Sequence, residues 1–241
     1  MPELTGQTVV VIGGSAGIGL ETARRARAEG ARVIITGRDP ERLRRAASEV
    51  DAASTAAFDA TTPGSLERFF DSLAGPIDHV MVTAGRPVYG RILEMDLSEV
   101  HRSLDEHIGV AIRIARQAAS KVKPGGSLIF MSGTGARRPG IGLAVAGTFT
   151  AAFPALVANL ALEIAPVRVN LVAAGFVDTG LSAELLGDQL EKRRAHLRDT
   201  LPIHRVVGPA DVAALAVHLM ANTALTGATY DVDGGQQLVP A

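Results

Sequence analysis

The sequence predicts a doubly wound α/β domain, with one parallel sheet of about seven strands and helices on both of its faces. Short apolar segments rich in β-branched residues alternate with longer helical segments along all 241 residues. A glycine-rich turn, Gly13 to Gly19, joins the first strand to the first helix. No linker, repeat or low-complexity tract interrupts this order, so we expect a single domain over residues 1–241. In such a sheet the ligand lies at the carboxyl ends of the strands.

The strands are predicted from their apolar character, and the helices from their boundary residues and periodicity. Residues 7–12 (QTVVVI) are typical of a strand buried on both faces. Asp39-Pro40 suits a helix N-cap followed by proline, and Pro124-Gly125-Gly126 suits a helix stop. We predict strands at 7–12, 32–36, 55–58, 79–84, 127–132 and 167–173 and within 226–235. We predict helices at 17–29, 40–50, 63–74, 97–121 and 145–164, within 201–220, and at 181–197, where they form a substrate lid near 181–200.

Composition and charge bound the possible functions. The chain carries 24 Lys and Arg against 25 Asp and Glu, so bulk electrostatics favour no nucleic-acid partner. It has no cysteine, which excludes disulfides and thiol chemistry. We see no His, Asp and Glu spacing typical of a metal site, no apolar run of membrane-spanning length and no signal peptide in MPELTGQ. A cytoplasmic protein without a membrane partner is the expectation.

The glycine-rich turn has the chemistry of a phosphate cradle. Gly13, Gly17 and Gly19 let the backbone turn tightly and let a phosphate approach the peptide N–H groups. The following helix directs its positive end at the anion, and Ser15 can add a hydroxyl contact. The alternative is a tight turn with no ligand. The order of strand, turn and helix favours a nucleotide.

Five blocks in this order resemble the short-chain dehydrogenase/reductase family. They are the Gly-x-x-x-Gly-x-Gly turn, FDAT with Asp59, VTAG (82–85), LALEIAPVRVNLVAAGFVDT (160–179), and the final pair LPIHRVVGPADVAALAVHLM (201–220) and TGATYDVDGG (226–235). The resemblance covers nearly the whole chain and implies a Rossmann-type fold that binds a nicotinamide cofactor. The cofactor-binding residues that it implies, with those of the turn, are Gly13, Ser15, Gly17, Ile18, Gly19, Arg38, Asp59, Ala60, Ala84, Gly85, Thr150, Gly175, Val177 and Thr179.

The end of the second strand indicates which cofactor is bound. An NAD site usually places an acidic residue there, but this chain has Thr36-Gly37-Arg38. A guanidinium can hold a 2′-phosphate by charge-assisted hydrogen bonds, which favours NADP(H). The alternative is a solvated arginine at a helix start. Asp39 is accounted for by helix capping and needs no ribose contact.

The resemblance also shows what the chain lacks. Family members that reduce carbonyls use a tyrosine, a lysine four residues later, an earlier serine, and an asparagine on the long helix. Registered on LALE (160–163), these positions fall on Ala146, Thr150, Gly133 and His107. A one-residue shift can restore the serine through Ser132. No shift supplies the other pair, since neither tyrosine, Tyr89 or Tyr230, has a lysine four residues on.

The catalytic residues are therefore unassigned, with His107 and Ser132 as weak candidates. Histidine changes charge near neutral pH, which makes His107 a candidate proton donor, but the alternative is a packed helix histidine. Tyr89 follows the fourth strand and either overhangs the pocket or caps the core. Arg137 and Arg138 either receive an anionic substrate or lie in a solvated loop. Tyr230 is expected to be structural, and His204 to belong to a subunit contact.

Three functions fit this pattern. The first is an NADP(H)-dependent oxidoreductase with a non-standard active site and a small, apolar substrate. The second is an NADP(H)-binding pseudoenzyme, sensor or inactive oligomer partner. The third is a lyase or isomerase on the same fold. The helices at 97–121 and 145–164 form the usual interfaces in the family that the chain resembles, which implies a homodimer or homotetramer.

Overall fold

A computed structural model describes residues 3–239; residues 1–2 and 240–241 of the predicted domain lie outside the described residues. The strands are β1 (Thr8–Ile12), β2 (Arg32–Gly37), β3 (Ser54–Ala57), β4 (Ile77–Val82), β5 (Val122–Gly133), β6 (Arg168–Ala174) and β7 (Thr229–Val232). The helices are α1 (Gly17–Ala28), α2 (Pro40–Val50), α3 (Ser65–Ser72), α4 (Leu97–Leu104), α5 (Val110–Lys121), α6 (Ala144–Glu163), α7 (Gly180–Leu186), α8 (Leu190–Thr200) and α9 (Pro209–Ala221).

The seven strands form one parallel sheet in the order β3-β2-β1-β4-β5-β6-β7. The predicted doubly wound, Rossmann-type fold is confirmed. Alternate residues of β1 supply the two faces: Val10 and Ile12 pack with α5 and α6, whereas Val9 and Val11 pack with α1 and α9. Because β1 lies between β2 and β4, the strand order reverses beside it, and a ligand cleft is expected at that point.

Several boundaries differ from the sequence prediction, among them two in the middle of the chain. The single helix predicted at 97–121 is interrupted by a π-helical turn, Asp105–Gly109, between α4 and α5. π-helical turns occur frequently at functional sites, and this one contains His107. Strand β5 begins at Val122 rather than at residue 127, since Val122 pairs with Ile77 before the register shifts and Ser127 pairs with His79. The Pro-Gly-Gly run therefore forms an irregularity within β5.

Helix α6 corrects the expectation that no apolar run is long enough to span a membrane. It is 20 residues long and contains an 18-residue window with a mean hydropathy of 1.6, which meets that test by length and composition. In the fold α6 packs as a core helix, with Phe149, Phe153 and Val157 buried against the sheet. A stripe on its other face stays exposed and carries Ala151, Ala155, Ala158 and Leu162.

His79 on β4 is buried, with 3% of its surface exposed. Its Nδ1 lies 2.9 Å from the Ser127 hydroxyl and its Nε2 lies 2.5 Å from the Gln7 side-chain oxygen. A neutral ring satisfies both contacts by accepting from Ser127 and donating to Gln7. Burial, and then the positive charge of Arg168, lower the pKa of His79 to about 4.

This histidine is expected to make the protein sensitive to acid. Between pH 6.5 and 4 the unfolded chain binds a proton at this position that the folded chain does not, so stability falls as pH falls through that window. The loss is about 3 kcal/mol at about 1.4 kcal/mol per pKa unit. Urea unfolding at pH 7, 5.5 and 4.5 measures it. His79→Gln should flatten the profile; an unchanged slope would contradict the assignment.

Candidate active site

A cavity of about 620 Å³ opens at the carboxyl ends of β4, β5 and β6. Its walls come from these strand ends, the π-helical turn, α6, α7 and α8. The predicted site residues that line it are Ile18, Ala84, Gly85, His107, Ser132, Thr150, Gly175, Val177 and Thr179. The other predicted residues, Gly13, Ser15, Gly17, Gly19, Arg38, Asp59 and Ala60, lie beside it, along the β1 and β2 side of the cleft.

The glycine-rich turn is packed so closely that side chains cannot enter it. A Cβ on Gly13 would lie 2.7 Å from the Ala84 backbone nitrogen, and Gly13 has a φ of +95°. A Cβ on Gly19 would lie 2.3 Å from the Gly13 carbonyl oxygen. The Thr83 hydroxyl donates to this carbonyl at 3.1 Å and ties β4 to the turn. The sequence prediction of a tight, glycine-dependent turn is therefore met by the geometry.

Helix α1 begins without a side-chain cap. Ala16 occupies the N-cap position, where Ser, Thr, Asp or Asn would normally satisfy the first N–H groups. Gly17, at a φ of +52°, follows it, and Ile18 lines the cavity. The uncapped N–H groups and the helix dipole favour an anion at this end. The turn and the uncapped helix together fit the phosphates of a dinucleotide.

The outer end of the cleft carries a free cation. Arg38 is exposed at the end of β2 and makes no hydrogen bond or ion pair with any residue between 3 and 239. Ser15 lies against Gly37, whose Cβ would come within 2.8 Å of the Ser15 hydroxyl. Asp39 caps α2, accepting from the N–H groups of Glu41 and Arg42 at 2.9 and 3.0 Å. The capping role predicted for Asp39 is confirmed.

Asp59 lies after β3 on the same side of the sheet. It accepts from the Thr61 N–H at 2.9 Å and from the Thr61 hydroxyl at 2.8 Å. Burial opposes ionisation, but these bonds and the charge of Arg38 together hold the pKa of Asp59 below its usual value. Asp59 is thus a carboxylate acceptor at neutral pH. Ala60 next to it is buried in the core.

The π-helical turn fixes the His107 ring at the cavity wall. Its Nδ1–H donates to the Ser103 carbonyl at 2.7 Å, and the ring stacks on Phe149 with centroids 3.8 Å apart. In the neutral ring Nε2 is then an acceptor, on the side of Gly85, whose Cβ would lie 3.5 Å from it. The stack and the hydrogen bond allow His107 a single orientation.

Ala146 and Thr150 lie one turn apart on the cavity face of α6 and are both buried. The Thr150 hydroxyl donates to the Ala146 carbonyl at 2.9 Å, which leaves its lone pairs as acceptors. Gly133 faces this helix, and a Cβ there would lie 3.5 Å from the Thr150 methyl group. The Ser132 Oγ is buried and has no hydrogen-bond partner among residues 3–239.

Helices α7 and α8 form the wall that faces this surface. Thr179 caps α7 through a reciprocal pair with Ser182, and Val177 pairs with Val207. Gly175 packs against Gln236, whose Oε1 accepts from the Phe176 N–H at 2.9 Å. From α8, Arg193 lines the cavity, with its guanidinium carbon 6.0 Å from the centre of the Phe176 ring.

Several sequence candidates lie elsewhere. Arg137 pairs with Asp231, Arg138 donates to the Val239 carbonyl, and neither lines the cavity, which favours the alternative that they lie in a loop over receipt of an anionic substrate. Tyr89 lines the cavity and is 55% exposed, which places it at the mouth. Tyr230 lies in β7 and packs on the core, as predicted. Sequence reasoning missed Arg193, Gln236 and Phe149, all of which line the cavity.

Two further features of the molecule bear on its chemistry. A second depression of about 660 Å³ lies outside the 135–144 loop. It shares Gly135 and Leu143 with the cavity, but none of the predicted site residues lines it. Within residues 3–239, no group of three or more His, Asp or Glu side chains is placed to hold a metal ion. The cavity at the strand ends is therefore the candidate site.

Known proteins resemble the chain over almost its full length. A family model described as enoyl-(acyl carrier protein) reductase matches residues 12–237. The short-chain dehydrogenase/reductase ATR9 of Stachybotrys chlorohalonatus is 29% identical, with 98% of both chains covered. The MalC reductase/Diels-Alderase of Malbranchea aurantiaca has a TM-score of 0.91 at 25% identity, with 98% of both chains covered.

A third relative carries information on the cofactor. The crystal structure of a small-chain dehydrogenase in complex with NADPH has a TM-score of 0.82 at 26% identity, covering 96% of this chain and 99% of the other. The fold, the glycine-rich turn and the family model all agree. The chain belongs to the short-chain dehydrogenase/reductase family, whose members are oxidoreductases that bind a nicotinamide cofactor.

Proposed function

We propose that this protein is an NADP(H)-dependent oxidoreductase with a non-standard active site. One observation carries the proposal: the nucleotide cradle is complete, whereas Ala146 and Thr150 occupy the cavity face of α6. By the register on LALE, these positions hold a tyrosine and a lysine in carbonyl-reducing relatives. The chain keeps the means to bind a cofactor but lacks the usual proton donor.

The residues present fit NADP(H). The glycine-rich turn and the start of α1 would hold the pyrophosphate, Asp59 the adenine edge and Arg38 the 2′-phosphate. Thr150, with its lone pairs free, can accept from a ribose hydroxyl. When bound, the reduced nicotinamide supplies a hydride. Helices α7 and α8 serve as the lid that excludes water from the cavity.

Arg38 is expected to decide the preference for NADPH. Removing the guanidinium in Arg38→Ala should weaken NADPH binding about 10- to 100-fold, since it removes charge-assisted bonds to the 2′-phosphate. NADH binding should change less than about twofold on the same affinity scale. Titration by NADPH fluorescence measures both. Arg116→Ala, an exposed arginine on α5, is the matched control; equal losses for NADPH and NADH would refute the role.

The cavity favours a substrate that needs little acid assistance. Ala146 has no proton to give, and the Thr150 hydroxyl proton is held by a carbonyl. Neutral His107 presents Nε2 as an acceptor, so it donates only when it is protonated. An iminium ion or an activated alkene takes a hydride without prior protonation. The relative named MalC reductase/Diels-Alderase shows that reductase chemistry occurs on a closely similar fold.

The test is NADPH consumption with a cyclic iminium, such as N-methyl-3,4-dihydroisoquinolinium, against acetophenone. We expect turnover of the iminium. The ketone should be reduced about 10²–10⁴-fold more slowly than by carbonyl-reducing relatives, which is the loss of rate that the absence of one acid–base group causes. His107→Asn distinguishes two roles for the ring. If His107 donates a proton, the variant changes the pH dependence of NADPH consumption, and if the ring is only packed, the variant leaves that dependence unchanged. Ketone reduction at rates typical of the family, unchanged in His107→Asn, would overturn this site assignment.

The same observation favours a second candidate, a protein that binds NADP(H) without turnover. It predicts tight NADPH binding and no nicotinamide absorbance change with any electrophile. The two candidates thus share the Arg38 result and differ in the iminium result. We place either one in the cytoplasm, as a homodimer or homotetramer.

The exposed stripe of α6 is the proposed subunit interface. Ala151, Ala155, Ala158 and Leu162 follow a helical spacing, and Leu162 is 80% exposed. Ala155→Glu would bury a charge in that interface and should shift the molecular mass from a dimer or tetramer towards the 25.0 kDa monomer. Light scattering after gel filtration measures it. Ala195→Glu on α8 is the control, and a wild-type monomer would exclude the proposal.

A further inference from the structure

We propose that the cavity accepts a hydrophobic monocarboxylic acid, with its carboxylate bound by Arg193. This inference rests on the proposed function for the location of the substrate and names the class of substrate that the site takes. It follows from the charges that line the cavity, from the pairing of the arginines on α8, and from the apolar remainder of the wall.

The charge of the cavity wall is one-sided. Among residues 3–239 its lining includes no aspartate or glutamate, while Arg193 contributes a full positive charge. Arg193 is only partly exposed, and burial lowers the pKa of its guanidinium. The group stays charged at neutral pH because an arginine pKa starts so high. The wall therefore attracts an anion beside Arg193, so among the electrophiles proposed above the preferred ones carry a carboxylate, including an iminium whose own charge that carboxylate neutralises.

The two neighbouring arginines of α8 differ in their partners: Arg194 is paired with carboxylates, whereas Arg193, within the described part of the chain, is not. Arg194 pairs with Asp178 at 2.6 Å and also with Glu191. Arg193 makes no hydrogen bond or ion pair with any residue in the range 3–239. Its guanidinium lies over the face of the Phe176 ring. Partial burial of an unpaired guanidinium costs free energy that an anionic ligand would offset.

The rest of the wall suits the other parts of such a ligand. Leu181, Leu185 and Leu186 supply an apolar surface beside Arg193. The side-chain oxygen of Gln236 is bonded to the Phe176 N–H, so its amide N–H groups are left as donors at the cavity. A carboxylate at one end of an apolar body matches this distribution.

The experiment compares 3-phenylpropanoate with the isosteric 3-phenylpropanamide by isothermal titration calorimetry, on protein saturated with NADP⁺ and on protein without cofactor. We expect the acid to bind at least about tenfold more tightly, as for a hydrogen bond to a charged group. Arg193→Gln should reduce the preference to less than about twofold, and Arg193→Lys should retain part of it. Lys192→Gln, which removes the same charge from an exposed position on α8, should retain all of it.

Two outcomes would overturn the inference. Equal binding of acid and amide to the wild type is one. The other is an Arg193→Gln variant that loses NADPH affinity yet keeps the acid preference, which would assign the guanidinium to a cofactor phosphate. If Arg193→Gln does not fold, the conservative Arg193→Lys and the salt dependence of acid binding decide the question. Because binding is read without turnover, failure of the iminium assay leaves this result unaffected.

Discussion

Replacing Gly19 with alanine is expected to abolish binding of the nicotinamide cofactor at any practical concentration. The new Cβ would lie 2.3 Å from the Gly13 carbonyl oxygen and 2.5 Å from the Thr83 hydroxyl. The first of these is backbone, so the clash can be relieved only by moving the turn itself. Displacing the N–H groups that face the pyrophosphate should weaken NADPH binding about 100-fold or more.

The measurement is the NADPH dissociation constant, with the melting temperature of the free protein beside it. Gly75→Ala is the matched control, because an added Cβ at this exposed loop position meets no atom within 4 Å. The control should bind NADPH as the wild type does. NADPH affinity within threefold of wild type in Gly19→Ala would show that the turn does not hold the cofactor.

The fold could be predicted because local patterns determine it. Strand β1 carries apolar residues on both of its faces. Helix α2 begins with Asp39 as its N-cap and Pro40 as its first residue, which is a recognisable capping sequence. The π-helical turn could not be predicted, because a single extra residue in a helical turn leaves no distinct pattern in the sequence. Tertiary packing of His107 on Phe149 accompanies it, and sequence spacing alone does not indicate that contact.

The site could be predicted only where backbone geometry dictates the residue type. Gly13 and Gly19 are glycines because no side chain fits at either position. The spacing of glycines in the sequence indicates this constraint directly. Arg193 belongs to a run of charged residues, EKRRAHLRD, that is typical of a solvated helix face. Its neighbour Arg194 forms ion pairs with Asp178 and Glu191. Only the packing of α8 places Arg193 at the cavity. Charge in a sequence does not show which way a side chain points.

Restoring the missing groups should convert the protein into a ketone reductase. By the register on LALE, the variant Gly133→Ser/Ala146→Tyr/Thr150→Lys places a hydroxyl, a phenol and an ammonium at the positions proposed to correspond to those of carbonyl-reducing relatives. Ala146 lines a cavity of about 620 Å³, which has room for a phenol, and a Cβ on Gly133 makes an ordinary 3.5 Å contact with Thr150. We expect acetophenone reduction to rise about 10²–10⁴-fold, as for one restored acid–base group.

The matched control keeps every change except the phenolic hydroxyl: Gly133→Ser/Ala146→Phe/Thr150→Lys. It should bind NADPH like the tyrosine variant yet reduce acetophenone no faster than the wild type. Iminium turnover, which needs no donated proton, should differ little between the two. If the tyrosine variant binds NADPH and still leaves ketones unchanged, the register on LALE is wrong. If it gains ketone reduction while the wild type reduces nothing, the fold still positions a cofactor for hydride transfer, and the natural protein is a binding protein that lost only its acid.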